Sequence, residues 1–359
     1  MEQMNDALGM LDLLALPGFC VKDKKIVKMN PLAASRQIPM GADITELLLT
    51  GSEEYEEFQD GCLYLTLELA GQPWGASVTR IGDYHVFLLE AEHERTELQA
   101  LALAARELRE PLSGIMTTAD RLFPVAVQND PALREQISLL NRGLFRMLRI
   151  IGNMSDAGRI PAPSLHQETL DIAAFLSEIF EKAQALVRHT QIRLTYEGPR
   201  EPVFCLVNGE QLERAVLNIL SNAVKFTPKE GLIEAKLVRR NKKLYLSVRD
   251  NGSGIPENLR GSVYTRYLRQ PTLEDGRFGI GLGLAIVRST ASQHGGTVLI
   301  DHPDGQGTRV TMTMAITQNK DSLVRSPVLH VDYAGGRDRG LIELSDCLPN
   351  GVYDTKKVN

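Results

Sequence analysis

Asn218, Asn222 and Lys225 recur at i, i+4 and i+7 within NILSNAVKF (218–226), a spacing that puts all three on one stripe of a helix. Amide oxygens are hard ligands for Mg²⁺, and a lysine ammonium is a compact charge for phosphate oxygens. Leu217, Leu220 and Val224 form a separate apolar stripe suited to a core. A helix divided in this way suits a magnesium-bound polyphosphate, and taken alone it suits a solvated polar face equally. A second segment, DNGSGIP (250–256), follows the alternating run Leu244–Val248, which predicts a strand ending at Asp250. A carboxylate there can accept a hydrogen bond from an exocyclic amine such as that of adenine. Asn251, Gly252, Ser253 and Gly254 give a turn whose backbone can approach a flat ligand, or simply a turn. The third segment, GIGLGLAIV (279–287), opens a helix over Leu284–His294 that Gly295 and Gly296 stop. Glycines feeding a helix N-terminus present N–H groups to phosphate. Gly279, Gly281 and Gly283 are spaced G-x-G-x-G after a charged loop. That argues against a dinucleotide-binding Rossmann unit, and no G-x-x-x-x-G-K-[ST] phosphate loop occurs.

The elements around these segments follow from periodicity. Leu98, Leu101, Ala105, Leu108, Leu112, Ile115, Ala119 and Leu122 alternate spacings of three and four. Leu133, Ile137, Leu140, Leu144, Met147, Ile151 and Met154 do the same. With a short loop expected from Pro124 to Pro131, these predict a helical hairpin with one apolar seam. Two such hairpins close a four-helix bundle, so a homodimer is expected. Residues 1–90 read as a small α+β module: a strand, a turn and a strand entering a helix (18–36), then three alternating strands (61–90). The expected division is 1–90, a hairpin at 91–158, a proline-bearing linker at 159–170, a nucleotide domain at 171–316 and a tail at 317–359. The tail predicts one strand (SPVLHVDY) and one short amphipathic helix (RGLIELSDCL). The fold class expected is multidomain α+β.

Composition narrows the function. The net charge of −5 over 359 residues is dispersed, which gives no nucleic-acid groove. Cys20, Cys62, Cys205 and Cys347 are scattered with no C-x-x-C, indicating neither zinc site nor disulfide framework. No apolar run approaches about 18 residues and no signal-peptide pattern opens the chain, so no membrane is expected and a cytoplasmic location is.

In this order and spacing, the three segments resemble the ATP-binding domain shared by sensor histidine kinases, gyrase B subunits and Hsp90-type chaperones (the GHKL, or Bergerat, α/β sandwich). The N-x-x-x-N-A-x-K-F-T form is most similar to histidine kinases. The resemblance implies ATP and Mg²⁺ as cofactors, with Asn222 on the metal, Asn218 nearby and Lys225 on phosphate. It implies Asp250 on adenine, Gly252 and Gly254 shaping its pocket, and Gly279, Gly281 and Gly283 bordering the phosphates and hinging a lid at 257–278. VYTRYLR (263–269) is similar to the family's aromatic-rich segment before the lid, which puts Arg266 and Arg269 at its basic positions. The first ninety residues resemble a divergent PAS sensor, with Asn30 at the strand-to-helix position, implying a small-molecule signal or a ligand-free dimerising module.

RELREPL (106–112) resembles the family's H-E-L-R-T-P-L, with Arg106 where the phosphorylated histidine stands and Glu107 where an acid helps to deprotonate it. Glu110 replaces the threonine that positions water for dephosphorylation of the partner, and Pro111 predicts a distorted helix there. Guanidinium stays protonated above pH ~12 and accepts nothing, so Arg106 is no ordinary phosphoacceptor. It can still pair with a γ-phosphate. Of His85, His93, His166, His189, His294, His302 and His330, only His93 lies near the hairpin, about 20 Å of helix before Arg106. Two functions therefore follow. One is phosphotransfer to another protein's histidine, or to an unconventional residue of the chain itself, and on to a response-regulator aspartate. The other is a pseudokinase whose nucleotide and signal bias a conformation that a partner reads.

Overall fold

The computed structural model describes residues 11, 16–90, 92–157, 167–255, 282–303, 306–317 and 337–354. Arg266, Arg269, Gly279, Gly281, the lid, the linker prolines and the predicted strand SPVLHVDY lie outside the described residues.

The first strands, β1 (Gly18–Lys22) and β2 (Lys25–Met29), pair antiparallel. Asp23 and Lys24 between them both take positive φ, the backbone that matches a tight turn to the twist of two strands. Asn30 then caps α1 (Pro31–Ala34), its Oδ1 accepting from the N–H groups of Ala33 and Gly18 and its Nδ2 donating to the carbonyls of Leu11 and Leu16. Four bonds from one buried amide give Asn30 a structural role. After α2 (Ser52–Glu56), strands β3 (Cys62–Leu69), β4 (Gln72–Ile81) and β5 (Tyr84–Leu89) complete the module. Its core includes Phe19 and Phe87, stacked 4.9 Å apart.

Two helices follow, α3 (Glu92–Asn129) and α4 (Arg134–Ala157). The loop expected from Pro124 to Pro131 is shorter than predicted, because α3 runs through both Pro111 and Pro124 to Asn129. Proline removes one helical hydrogen bond but already has a helical φ. Leu112, Met116, Ala119 and Val127 of α3 are buried, and that packing outweighs the lost bonds. Every second member along the middle of each predicted seam is buried within the chain (Ala105, Leu112, Ala119; Ile137, Leu144, Ile151). The alternate members Leu108, Ile115, Leu122, Leu140 and Met147 are exposed.

The remaining elements are β6 (Glu168–Asp171), α5 (Ile172–Val187), β7 (Arg193–Glu197), β8 (Phe204–Val207), α6 (Gly209–Phe226), β9 (Leu232–Arg240) and β10 (Lys243–Asp250), then α7 (Gly283–Gln293), β11 (Val298–Asp301), β12 (Thr308–Ala315) and α8 (Arg339–Glu343). Leu244, Leu246 and Val248 alternate into the core from β10 as its pattern predicts, under Leu212, Val216 and Leu220 of α6. β6 and β8 form a separate pair. The other strands make a single ten-stranded sheet, β2-β1-β5-β4-β3-β11-β12-β10-β9-β7, in which β3 of the N-terminal module pairs antiparallel with β11 over three residues. Lys243 and Tyr245 both bond Glu54 across this joint, and Arg288 of α7 reaches Glu90 while lying over the Tyr64 ring.

Candidate nucleotide site

α6 starts where the Asn208 side chain accepts from the Gln211 N–H, and its apolar residues bury one side against the sheet. That orientation fixes where its polar stripe points. The turn after β10 closes on the C-terminal end of α6: a Cβ on Gly252 would lie 2.3 Å from the Phe226 carbonyl oxygen and 2.8 Å from Asp250 Oδ1. Gly254 holds φ +70°, a backbone that glycine adopts without strain. Gly283, at the start of α7, meets the middle of α6, since a Cβ there would come within 2.8 Å of Asn218 Oδ1. Three segments distant in sequence therefore converge on α6. The structure brings Gly283 against Asn218 and Gly252 against the Phe226 carbonyl, next to Lys225, with Asn222 on the stretch of α6 between them and Asp250 and Gly254 in the adjoining turn.

Asp250 is buried, and its Oδ1 accepts from the N–H groups of Gly252 (2.9 Å) and Thr308 (3.2 Å). Both bonds land on one oxygen. Burial raises the carboxyl above the usual aspartate range, partly opposed by those two N–H donors. Burial likewise pulls the Lys225 ammonium below the usual lysine range, and the Asp346 carboxylate opposes it. The side-chain oxygens of Asn218 and Asn222 are hard donors of the kind that suit Mg²⁺.

Several charged residues at this site were not read from the sequence. Arg149 of α4 donates to Asp346 Oδ2 (2.6 Å) and Asn218 Oδ1 (3.4 Å) and faces Glu343 Oε2 at 3.4 Å. Arg214, one turn before Asn218, donates to Glu343 Oε1 (3.1 Å), Asn153 Oδ1 (2.9 Å) and Asp156. The Asn218 Nδ2 group donates to the Arg214 carbonyl and to Glu343 Oε2. Arg214 extends the stripe of Asn218 and Lys225 by one turn, and Arg142, Arg146 and Arg149 repeat the i, i+4, i+7 spacing on α4. Those signals were available. Glu343 gave none, yet it is 0 % exposed and centres the network.

On α3, Arg106, Glu107 and Glu110 are exposed. Among the described residues they make no hydrogen bond or ion pair.

Residues 207–318 match the family model of histidine kinase-, DNA gyrase B- and HSP90-like ATPases. Hybrid signal transduction histidine kinase D of Dictyostelium discoideum is 28% identical over 276 residues, covering 69% of this chain and 17% of that protein. Adaptive-response sensory kinase SasA of Synechocystis sp. is 28% identical over 264 residues, covering 69% of this chain and 68% of its own length. Among solved structures, the mycobacterial sensor histidine kinase MprB matches at 28% identity over 42% of this chain and 97% of that one, with a TM-score of 0.36. Residues 207–318 are thus similar to the histidine kinase-, DNA gyrase B- and HSP90-like ATPases, and about two thirds of the chain is similar to curated histidine kinases. The fold around the match is mixed α+β, and its nucleotide part is of the GHKL α/β type. No helix among the described residues is long and apolar enough to cross a membrane.

Proposed function

We propose that the chain is a dimeric signalling protein of the sensor histidine kinase type that binds Mg·ATP on α6 and transfers phosphoryl groups in trans. The convergence of the Asp250 turn and Gly283 on the Asn218, Asn222 and Lys225 stripe carries this reading. Bound Mg·ATP supplies a transferable γ-phosphoryl group. Asn222 holds the metal with Asn218 beside it, Lys225 neutralises phosphate charge, and Asp250 accepts the adenine amine. Arg266, Arg269, Gly279 and Gly281 complete the phosphate end and its lid. Glu107 takes the proton of an imidazole that a partner protein presents, and a response regulator is the onward acceptor. Arg106 offers no lone pair, so it holds phosphate charge near α3 instead of accepting the group.

The exposed half-seam, Leu108, Ile115 and Leu122 with Leu140 and Met147, supports a second hairpin as the dimer partner. The N-terminal module serves as a PAS-like input for a small-molecule signal, and the protein works in the cytoplasm. A second reading is favoured by the exposure of Arg106, Glu107 and Glu110: a pseudokinase in which nucleotide biases a conformation without chemistry. Both readings require the same pocket. Calorimetric titration with Mg·ATP is expected to show binding by the natural chain and a loss of at least about 100-fold, or about 2.7 kcal/mol, in Asn222→Ala. Unchanged affinity in that variant sinks the site assignment.

A further inference from the structure

The tail after residue 337 is not an appendage. All five residues of α8 are buried, and Tyr353 and Leu348 sit in the main core, with the Tyr353 hydroxyl donating to the Leu341 carbonyl. α4 receives it through side chains: Asn141 donates to the Tyr353 carbonyl, and Arg142 donates to the carbonyls of Ser345 and Asp346 and to Asn350. The tail's two innermost carboxylates then lie along the polar stripe of α6. Glu343 meets Arg214, Asn218 and Arg149, while Asp346 meets Arg149 and Arg146.

One of the three stripe residues, Asn218, is thereby committed. The Asn218 amide is engaged at both ends, its oxygen by Arg149 and its nitrogen by Glu343 and the Arg214 carbonyl. The Asp346 carboxylate also acts on the charge of Lys225, opposing the burial that lowers it. Carboxylate and phosphate oxygens are recognised by the same donors, so the surface that seats these two acids is chemically a phosphate surface. We propose that the acidic tail segment 338–346 and a nucleotide polyphosphate are alternative occupants of the α6 stripe, so that Mg·ATP binds only as the tail withdraws Glu343 and Asp346. This rests on the reading of Asn218 and Lys225 as nucleotide residues.

Exclusion of this kind has a measurable size. Apparent affinity falls by the fraction of molecules whose site is open, so a tail open in about one molecule in a hundred weakens nucleotide binding about 100-fold. It also has a structural sequel. Arg149 belongs to the hairpin and Arg214 to the nucleotide domain, and Glu343 lies between them. Withdrawing the tail therefore removes the carboxylate between them and leaves α4 and α6 joined by Arg214 to Asn153 and Asp156 and by Arg149 to Asn218.

The test uses the full chain. Backbone hydrogen exchange over 339–348 is followed while Mg·ATP, inorganic triphosphate with Mg²⁺, or adenosine is added, with calorimetry on the same samples. Exchange in 339–348 is expected to rise with Mg·ATP and with triphosphate, in step with binding, and to stay unchanged with adenosine. Asp346→Asn retains an acceptor for one arginine and is expected to bind Mg·ATP at least about tenfold more tightly, with its folded state verified by its melting curve. Binding of Mg·ATP with the tail equally or better protected overturns the competition while leaving the nucleotide site intact. Absence of binding in both the natural chain and Asp346→Asn overturns the nucleotide site itself. Binding in the variant alone supports the competition.

Discussion

α3 and α6 are both amphipathic helices with chemically capable residues at helical spacing, and they treat those residues in opposite ways. On α6, Arg214 and Asn218 are 3 % and 1 % exposed and held by several side-chain bonds each. On α3, Arg106, Glu107 and Glu110 are exposed and bonded to nothing among the described residues. A buried polar residue is fixed by the cost of leaving its partners unsatisfied, whatever chemistry it performs. An exposed one is held only by the reaction it serves, so changing it costs little stability. A substitution on α3 therefore leaves the bonded stripe of α6 undisturbed.

This contrast is sharpest at two arginines. Arg214→Ala removes a buried cation and strands Glu343 and Asp156, so urea denaturation is expected to show a loss of about 3–5 kcal/mol. A loss near that of an ordinary surface substitution would break the contrast from the α6 side.

Asp250 gives a second, smaller test through pH. Its carboxyl is raised by burial, so its own contribution to folding is fully present below the ordinary aspartate range and is lost as pH rises through the raised value. Nucleotide binding runs the other way. Protonation removes the charge that accepts the adenine amine, and Mg·ATP affinity is expected to drop about tenfold, or about 1.4 kcal/mol, as pH falls through that same value. Calorimetry on the natural chain and on Asp250→Asn checks this. The variant should bind weakly at all pH values and lose the acid-side slope.

The smallest effect is expected on α3. Arg106→His should change stability by less than about 0.5 kcal/mol in the same urea experiment. A larger loss would mean that Arg106 is tied into the structure after all.

What was legible in the sequence was local. Alternation gave β10 its buried face, glycine punctuation gave the end of α7, and the spacing of Asn218, Asn222 and Lys225 gave the stripe. Long-range events were not legible. α3 passes through Pro124 because packing of its apolar residues outweighs a local helix-breaking preference. Strands β3 and β11 pair through backbone groups, which leave no side-chain signature of the partner. Glu343 is buried by arginines 129 and 194 residues away in the chain, Arg214 and Arg149, and no window of sequence around it shows them.

The central claim is a working nucleotide site beside an acceptor position that cannot accept. The most direct measurement incubates the natural chain and Arg106→His with Mg²⁺ and γ-labelled ATP and reads acid-labile, base-stable label on the protein. The account predicts label on Arg106→His and none on the natural chain. Label of that kind on the natural chain would contradict it and place the acceptor elsewhere, with His93 the first residue to replace.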